Sequence, residues 1–165
     1  MSKEYDTIES ISKSINSGIT PLRSNSAFWT NGVIPWLKTE QLGEFQIEET
    51  NEKISDKALE ETGIKINPAN TISIALYGEG RTRGNVSILK IPMTTNQACC
   101  NIVVNDEVAD YRYVYYWLKN NYHQLRNLSS GVRKNLSADE IKTFPFNCRK
   151  PNEQSAIADI FSTLD

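Results

Sequence analysis

The sequence predicts a mixed α+β fold, a single globular domain whose twisted, largely antiparallel sheet is flanked by short helices. Three observations predict it. The chain has 165 residues, 39% hydrophobic and 23% charged, which suits one domain with a real core. From Thr71 to Val104 the stretch TISIALYGEGRTRGNVSILKIPMTTNQACCNIVV contains three strand-like runs. From Asp110 onward, Tyr111, Tyr115, Leu118, Tyr122 and Leu125 fall at spacings of 4, 3, 4 and 3, the stripe of a helix packed on a core.

The elements follow in chain order. Ile8, Ile11 and Ile15, spaced 3 and 4 apart, predict either a short amphipathic helix capped by Asp6 or Thr7, or a short helix that gives way to a strand through Ile15. Gly18-Ile-Thr-Pro21 makes a rigid turn, Gly for a special dihedral and Pro for a fixed one. Phe28, Trp29 and Trp36 cluster around Asn31-Gly32, a hairpin-type signal, and read as core packing ahead of base stacking. Val33 to Lys38 is a strand whose Pro35 suggests an edge or bulge. Thr39 starts a brief helix, and Phe45 to Thr50 alternates as a strand does. Ser55 caps and Gly63 stops a helix with an acidic outer face. Ile64 to Asn70 reads as a strand plus turn.

Between the first two strands of the central stretch lies Gly78-Glu79-Gly80-Arg81-Thr82-Arg83-Gly84. Three glycines in seven residues let the backbone turn sharply and approach a neighbour closely. The two arginines carry planar forks that match phosphates and guanine edges. Thr95-Asn96-Gln97 is a polar insertion whose groups need partners. After the Tyr-striped helix comes a second polar loop, Ser129-Ser-Gly131-Val-Arg-Lys-Asn135. Ser137 and Glu140 have capping-box spacing, Phe144-Pro-Phe146 is a last strand, and Pro151 opens a final helix with Ile157, Ile160, Phe161 and Leu164 on one side.

A net charge of -2 does not announce a nucleic-acid binder, but the distribution is polarised. Residues 40–61 hold eight acids against two lysines. Residues 111–138 hold no acid and carry Arg112, Lys119, Arg126, Arg133 and Lys134. The three cysteines, Cys99, Cys100 and Cys148, form no metal-type spacing, and adjacent Cys99 and Cys100 on a strand point to opposite faces. With His123 as the one histidine, off the buried stripe, a zinc cluster is not expected and His123 reads as a surface residue. No apolar signal core or membrane-length run is present, so the cytoplasm is the expected location.

The chemistry-bearing motifs of hydrolases, nucleotide-binding loops and zinc proteases are absent. Gly78-x-Gly80-x-x-x-Gly84 misses the dinucleotide spacing and lacks the helix that should follow. The clustered acids look like a solvated face rather than a nuclease centre. On the residues alone, a non-catalytic binding domain is the expectation.

Taken together, the motifs resemble the target recognition domain of the specificity subunit of Type I restriction–modification systems. The resemblance runs through Gly18-Ile-Thr-Pro21, Phe28-Trp29-x-x-Gly32-x-Ile34-Pro35-Trp36, Ile54-Ser55 and Asn67-Pro68-Ala69-Asn70-Thr71. Its most specific part is Tyr77-Gly-Glu-Gly-Arg-Thr-Arg-Gly84 with Thr95-Asn96-Gln97-Ala98-Cys99. It closes with Gly131-Val-Arg-Lys-Asn-Leu-Ser137 and Glu153-Gln154-x-x-Ile157-Ala158-x-x-Leu164-Asp165. The resemblance implies a bacterial or archaeal protein that reads one half of a split double-stranded DNA target and performs no chemistry itself. It implies methyltransferase subunits as partners, which bind S-adenosylmethionine, and a restriction subunit that uses ATP and Mg. A second specificity half is a further candidate partner. The chain itself is expected to hold no cofactor and no metal, and to touch no membrane.

The expected division is a target recognition domain over 1–151 and the start of a conserved coiled-coil spacer helix over 152–165. One recognition domain is matched where the complete subunit has two, which leaves a trimmed piece, a natural half-subunit and a remnant open. Arg133 stands where a Gln is often found beside the Lys of that loop. Arg81 and Arg83 are the first candidates for DNA contact, by base edge or phosphate, with bracing of the fold or a methyltransferase contact as the alternative. Arg133 and Lys134 are expected to hold phosphates. Arg23, Asn25 and Lys38 are weaker candidates near the aromatic turn. Ile157, Ile160, Phe161 and Leu164 are the expected anchors for a subunit interface, and an interaction module that works through them is the alternative to DNA reading.

Overall fold

A computed structural model describes residues 5–129 and 135–165. Among the described residues the strands are β1 (Ser12–Ser17), β2 (Ile34–Leu37), β3 (Gln46–Ile47), β4 (Glu52–Ile54), β5 (Ile72–Ala75), β6 (Val86–Leu89), β7 (Thr94–Thr95) and β8 (Cys99–Val104). The helices are α1 (Asp56–Thr62), α2 (Tyr111–Asn120), α3 (Tyr122–Asn127), α4 (Ala138–Lys142) and α5 (Pro151–Ser162). The fold is the mixed α+β expected, but its strands form two sheets. The larger runs β1-β8-β5-β6-β3, antiparallel except for the β6–β3 edge; the smaller runs β4-β2-β7, with β2 and β7 parallel.

The larger sheet is buried on both faces along its three middle strands, β8, β5 and β6, whose residues are mostly apolar. Ile72, Ile74, Ile88, Cys100 and Ile102 face one cluster, completed by Val114, Tyr115, Leu118 and Ile141 from the helices. Ala75, Leu89 and Cys99 face a second cluster with Leu37 and Met93 from around the smaller sheet. Cys99 and Cys100 thus part to opposite faces, as neighbours on a strand must. A third cluster gathers Phe28, Trp36, Ile54, Ala58 and Ile64 beneath α1. Phe28 and Trp36 are buried and Trp29 meets Trp36 edge-on at 5.1 Å, so the aromatics are core.

Between the sheets runs a buried polar relay. Asn101 of β8 accepts from the Ser73 hydroxyl at 2.9 Å and donates to Thr95 Oγ1 of β7 at 2.8 Å. All three are fully buried. Asn16 donates to Asn67 Oδ1, and Asn67 donates to the Met93 carbonyl. Each group finds a partner, which is the condition for polar atoms to survive in a core. Thr95 and Asn96 therefore tie the insertion to β8 and to the Leu37 carbonyl.

Several local expectations are corrected. Residues 9–11 make one 3-10 turn, braced by reciprocal bonds between Thr7 and Ser10, and Ile15 then lies in β1 opposite Ile102. Of the two openings predicted, the helix-then-strand one holds. Gly18 needs no special dihedral; a Cβ there would lie 2.0 Å from the Thr95 carbonyl oxygen, so the position demands close approach instead. Asn31-Gly32 does not close a hairpin, because β2 pairs with the distant β4 and β7. Pro35 lies on the middle strand, where the register with β7 begins only at the next residue and the Thr94 hydroxyl donates to the Pro35 carbonyl. Residues 64–70 form no strand beyond the single bridge of Asn67 to Met93. The long helix from Asp110 breaks at Asn121, whose side chain bonds back to the Trp117 carbonyl at 2.8 Å and competes with the helix backbone. α1, with Ser55 accepting from the Ala58 amide and Gly63 left-handed at φ 68, is as predicted, and so is the Ser137–Glu140 capping box.

The last helix folds back on α2. Gln154 and Ala158 are fully buried, and Ile157 packs on the main cluster. Gln154 accepts from the Asp110 amide at 2.9 Å and donates to the Arg149 carbonyl at 2.8 Å and the Val108 carbonyl at 3.3 Å. Ile160, Phe161 and Leu164 stay exposed at 64%, 46% and 78%.

Candidate nucleic-acid interface

The glycine-arginine loop leaves β5 and returns on β6. Its stem is closed by the Ala75 amide on Asn85 O at 3.0 Å and the Gly84 amide on Ala75 O at 2.8 Å. Gly78, Gly80 and Gly84 have φ of 141°, 58° and 88°, a left-handed series that side-chain-bearing residues resist. Turn bonds from the Thr82 amide to Glu79 O and from the Asn85 amide to Thr82 O fold the loop on itself.

α3 grips this loop from outside. Tyr122 donates its hydroxyl to the Arg81 carbonyl at 2.6 Å. Arg126 Nη1 donates to the Arg83 carbonyl at 2.6 Å and Nη2 to the Gly80 carbonyl at 2.9 Å. Arg126 also donates to Tyr122 Oη and stacks over that ring at 5.3 Å. Gly84 lies so close that a Cβ there would come within 3.1 Å of Arg126 Cγ. The carbonyls of residues 79–83 are thus spoken for, while Arg81 is exposed and Arg83 is half-buried. Arg81 borders a depression of about 370 Å³ shared with Asn85, Lys119, Asn120 and His123. His123 is exposed, as the sequence indicates. Two residues outside the sequence-based candidates, Tyr122 and Arg126, do the holding. Their one-turn spacing put them on the same helix face, but nothing local pointed at a loop some forty residues earlier.

The other candidates are not gathered here. Arg23 lies over Trp29 at 3.8 Å and forks onto Glu52, whose carboxylate also takes Lys38 at 3.0 Å. Arg23 beside it holds the Glu52 carboxyl down to about 2. Lys38 is shared further with Glu40 at 2.7 Å, and Asn25 accepts from the Ala27 amide to cap a 3-10 turn. These three side chains have intramolecular partners around the smaller sheet. Arg133 and Lys134 lie outside the described residues. Ile157, Phe161 and Leu164 line a groove of about 570 Å³ between α2 and α5, together with Tyr116 and Trp117. Among the described residues no three His, Cys, Asp or Glu side chains converge as metal ligands, and no helix is long and apolar enough to cross a membrane.

Comparison with known proteins agrees with this architecture. The chain is 26% identical over 166 residues to the Type I restriction enzyme EcoR124I/EcoR124II specificity subunit of Escherichia coli, spanning 98% of this chain and 41% of that one. It is 30% identical over 156 residues to the Type I restriction enzyme MjaIX specificity subunit of Methanocaldococcus jannaschii, spanning 92% and 35%. The chain thus spans about two fifths or less of these relatives. The fold is similar to that of the Type I restriction–modification S subunit from M. genitalium, with a TM-score of 0.65, 23% identity and coverage of 95% and 37%. It is also similar to the HsdS subunit from Thermoanaerobacter tengcongensis, with a TM-score of 0.67, 10% identity and coverage of 95% and 35%. The family model of the Type I restriction modification DNA specificity domain matches residues 3–165. The chain belongs to that family.

Proposed function

We propose that this chain is a DNA-reading module of a Type I restriction–modification system, engaging one half of a split duplex target. The observation that carries the reading is the family match across 3–165. Arg81 and Arg83 are the contacts to duplex, with Arg133 and Lys134 on phosphates. The loop's geometry supports this role, since the carbonyls of residues 79–83 are satisfied internally and Arg81 is left exposed. The chain performs no chemistry. S-adenosylmethionine, ATP and Mg belong to the methyltransferase and restriction subunits it directs, in a bacterial or archaeal cytoplasm.

The test is a salt titration of duplex binding by Arg81→Ala and Arg83→Ala. Removing one phosphate partner lowers the slope of log affinity against log salt by about one. Unchanged affinity and unchanged slope for both variants refute contact by the loop.

A second reading rests on the exposed row of Ile160, Phe161 and Leu164. It makes the chain a module that pairs with another specificity or methyltransferase subunit through α5. Loss of assembly in Ile160→Glu, with duplex binding intact, favours it.

A further inference from the structure

We infer that Arg126, with Tyr122, is the positioning device of the glycine-arginine loop, so that this loop's fit to duplex is set from α3 as well as by the loop's own turns. The inference rests on the DNA-reading proposal for its consequence, but its structural half stands alone. Among the described residues the partners of the Arg126 guanidinium are oxygens of the loop and of Tyr122, not carboxylates. A cation spent on two carbonyls three residues apart is a clamp rather than a surface charge. The Tyr122 hydroxyl takes the carbonyl between them, and in turn accepts from Arg126. The three carbonyls at residues 80, 81 and 83 are thereby fixed to one short helix.

This matters because the loop itself is poorly suited to hold a shape. Three glycines in seven residues give the loop more backbone freedom than side-chain-bearing residues in their place would, and freezing them on binding is costly. A clamp made in the free protein removes that cost from the binding step. Lysine is not equivalent at this position. A single ammonium has the charge but not the planar fork that reaches Gly80 O and Arg83 O together.

The experiment compares the wild-type chain with Arg126→Met, Arg126→Lys and the milder Tyr122→Phe. Amide hydrogen exchange is read at residues 78–84, with the β8 amides as a control for global unfolding. Binding to a pool of random-sequence DNA duplexes is titrated across salt. Arg126→Met and Arg126→Lys are expected to speed loop exchange roughly tenfold while β8 is unmoved, in keeping with the loss of charge-assisted bonds. Tyr122→Phe is expected to speed it less. Duplex affinity is expected to fall in the same order with the salt slope unchanged, because every phosphate partner is retained. Loop exchange unchanged in all three variants overturns the inference. So does a slope lowered by about one in Arg126→Met and restored by Arg126→Lys, which marks Arg126 as a phosphate ligand. If the wild-type chain binds no duplex, the DNA-reading proposal fails, and the exchange data still decide the clamp.

Discussion

Gln154 offers the sharpest quantitative test of how this fold is held. It is fully buried on α5, yet its side chain serves three backbone groups of other segments, at Asp110, Val108 and Arg149. Gln154→Ala removes all three partners at once. The bonds at 2.9 and 2.8 Å are each worth about 1 kcal/mol net, and leaving a buried amide or carbonyl unpaired costs a further ~1–3 kcal/mol. The Asp110 amide is one such group, at the head of α2, and the truncation also leaves a void. We expect a loss of about 2–4 kcal/mol. Urea denaturation followed by tryptophan fluorescence measures it, and with a slope of about 2 kcal/mol/M the midpoint falls by about 1–2 M. The exposed neighbour Glu153→Ala controls for helix propensity and loses its capping bond to the Lys150 amide, an effect of about 1 kcal/mol or less. If Gln154→Ala unfolds within about 0.5 kcal/mol of wild type, the docking of α5 does not depend on these bonds and their assigned role is refuted.

Three further outcomes are expected. Glu52, held near 2 by Arg23 and Lys38, contributes stability that is fully present above its ordinary pKa of 4.5 and is lost as pH falls toward 2. Because Arg23 is half exposed, the contribution is about 1 kcal/mol, seen as a steeper loss of urea midpoint between those pH values in wild type than in Glu52→Gln. Gly18→Ala, whose Cβ would press on the Thr95 and Asn96 backbone oxygens, is expected to cost about 3 kcal/mol or more by the same denaturation assay. Burial pushes the Cys99 and Cys100 thiols up to about 12, so at mild pH a thiol reagent should label half-buried Cys148 first and the other two only after unfolding.

What the sequence disclosed was whatever depends on neighbours in the chain. The cap and stop of α1, the Ser137–Glu140 box and the parting of Cys99 from Cys100 are consequences of local geometry, and each was readable. The pairing of β2 was not, since its partners β4 and β7 are chosen by packing and Asn31-Gly32 points only to a turn. Arg23 and Lys38 stand as candidates for DNA contact in the sequence because Glu52 lies too far along the chain to be matched with them. Arg126 read as one charge among several in an acid-free stretch, and Gln154 as a motif residue without a stated task. Both serve backbone groups contributed by remote segments, information that no periodicity carries.

The chain passes twice through one place, at residues 6–8 and again at 144–146. The Ile8 amide bonds to the Phe144 carbonyl and the Phe146 amide to the Asp6 carbonyl, with Thr7 bridged to Pro145. Nearly everything between is therefore one closed excursion from a fixed pair of adjacent points. Two consequences follow. Folding must close a very long loop to form these bonds, which places them late and makes the assembly slow for its size. And because α5 then docks on α2, inside that excursion, the bonds at residues 6–8 also fix where the last helix begins.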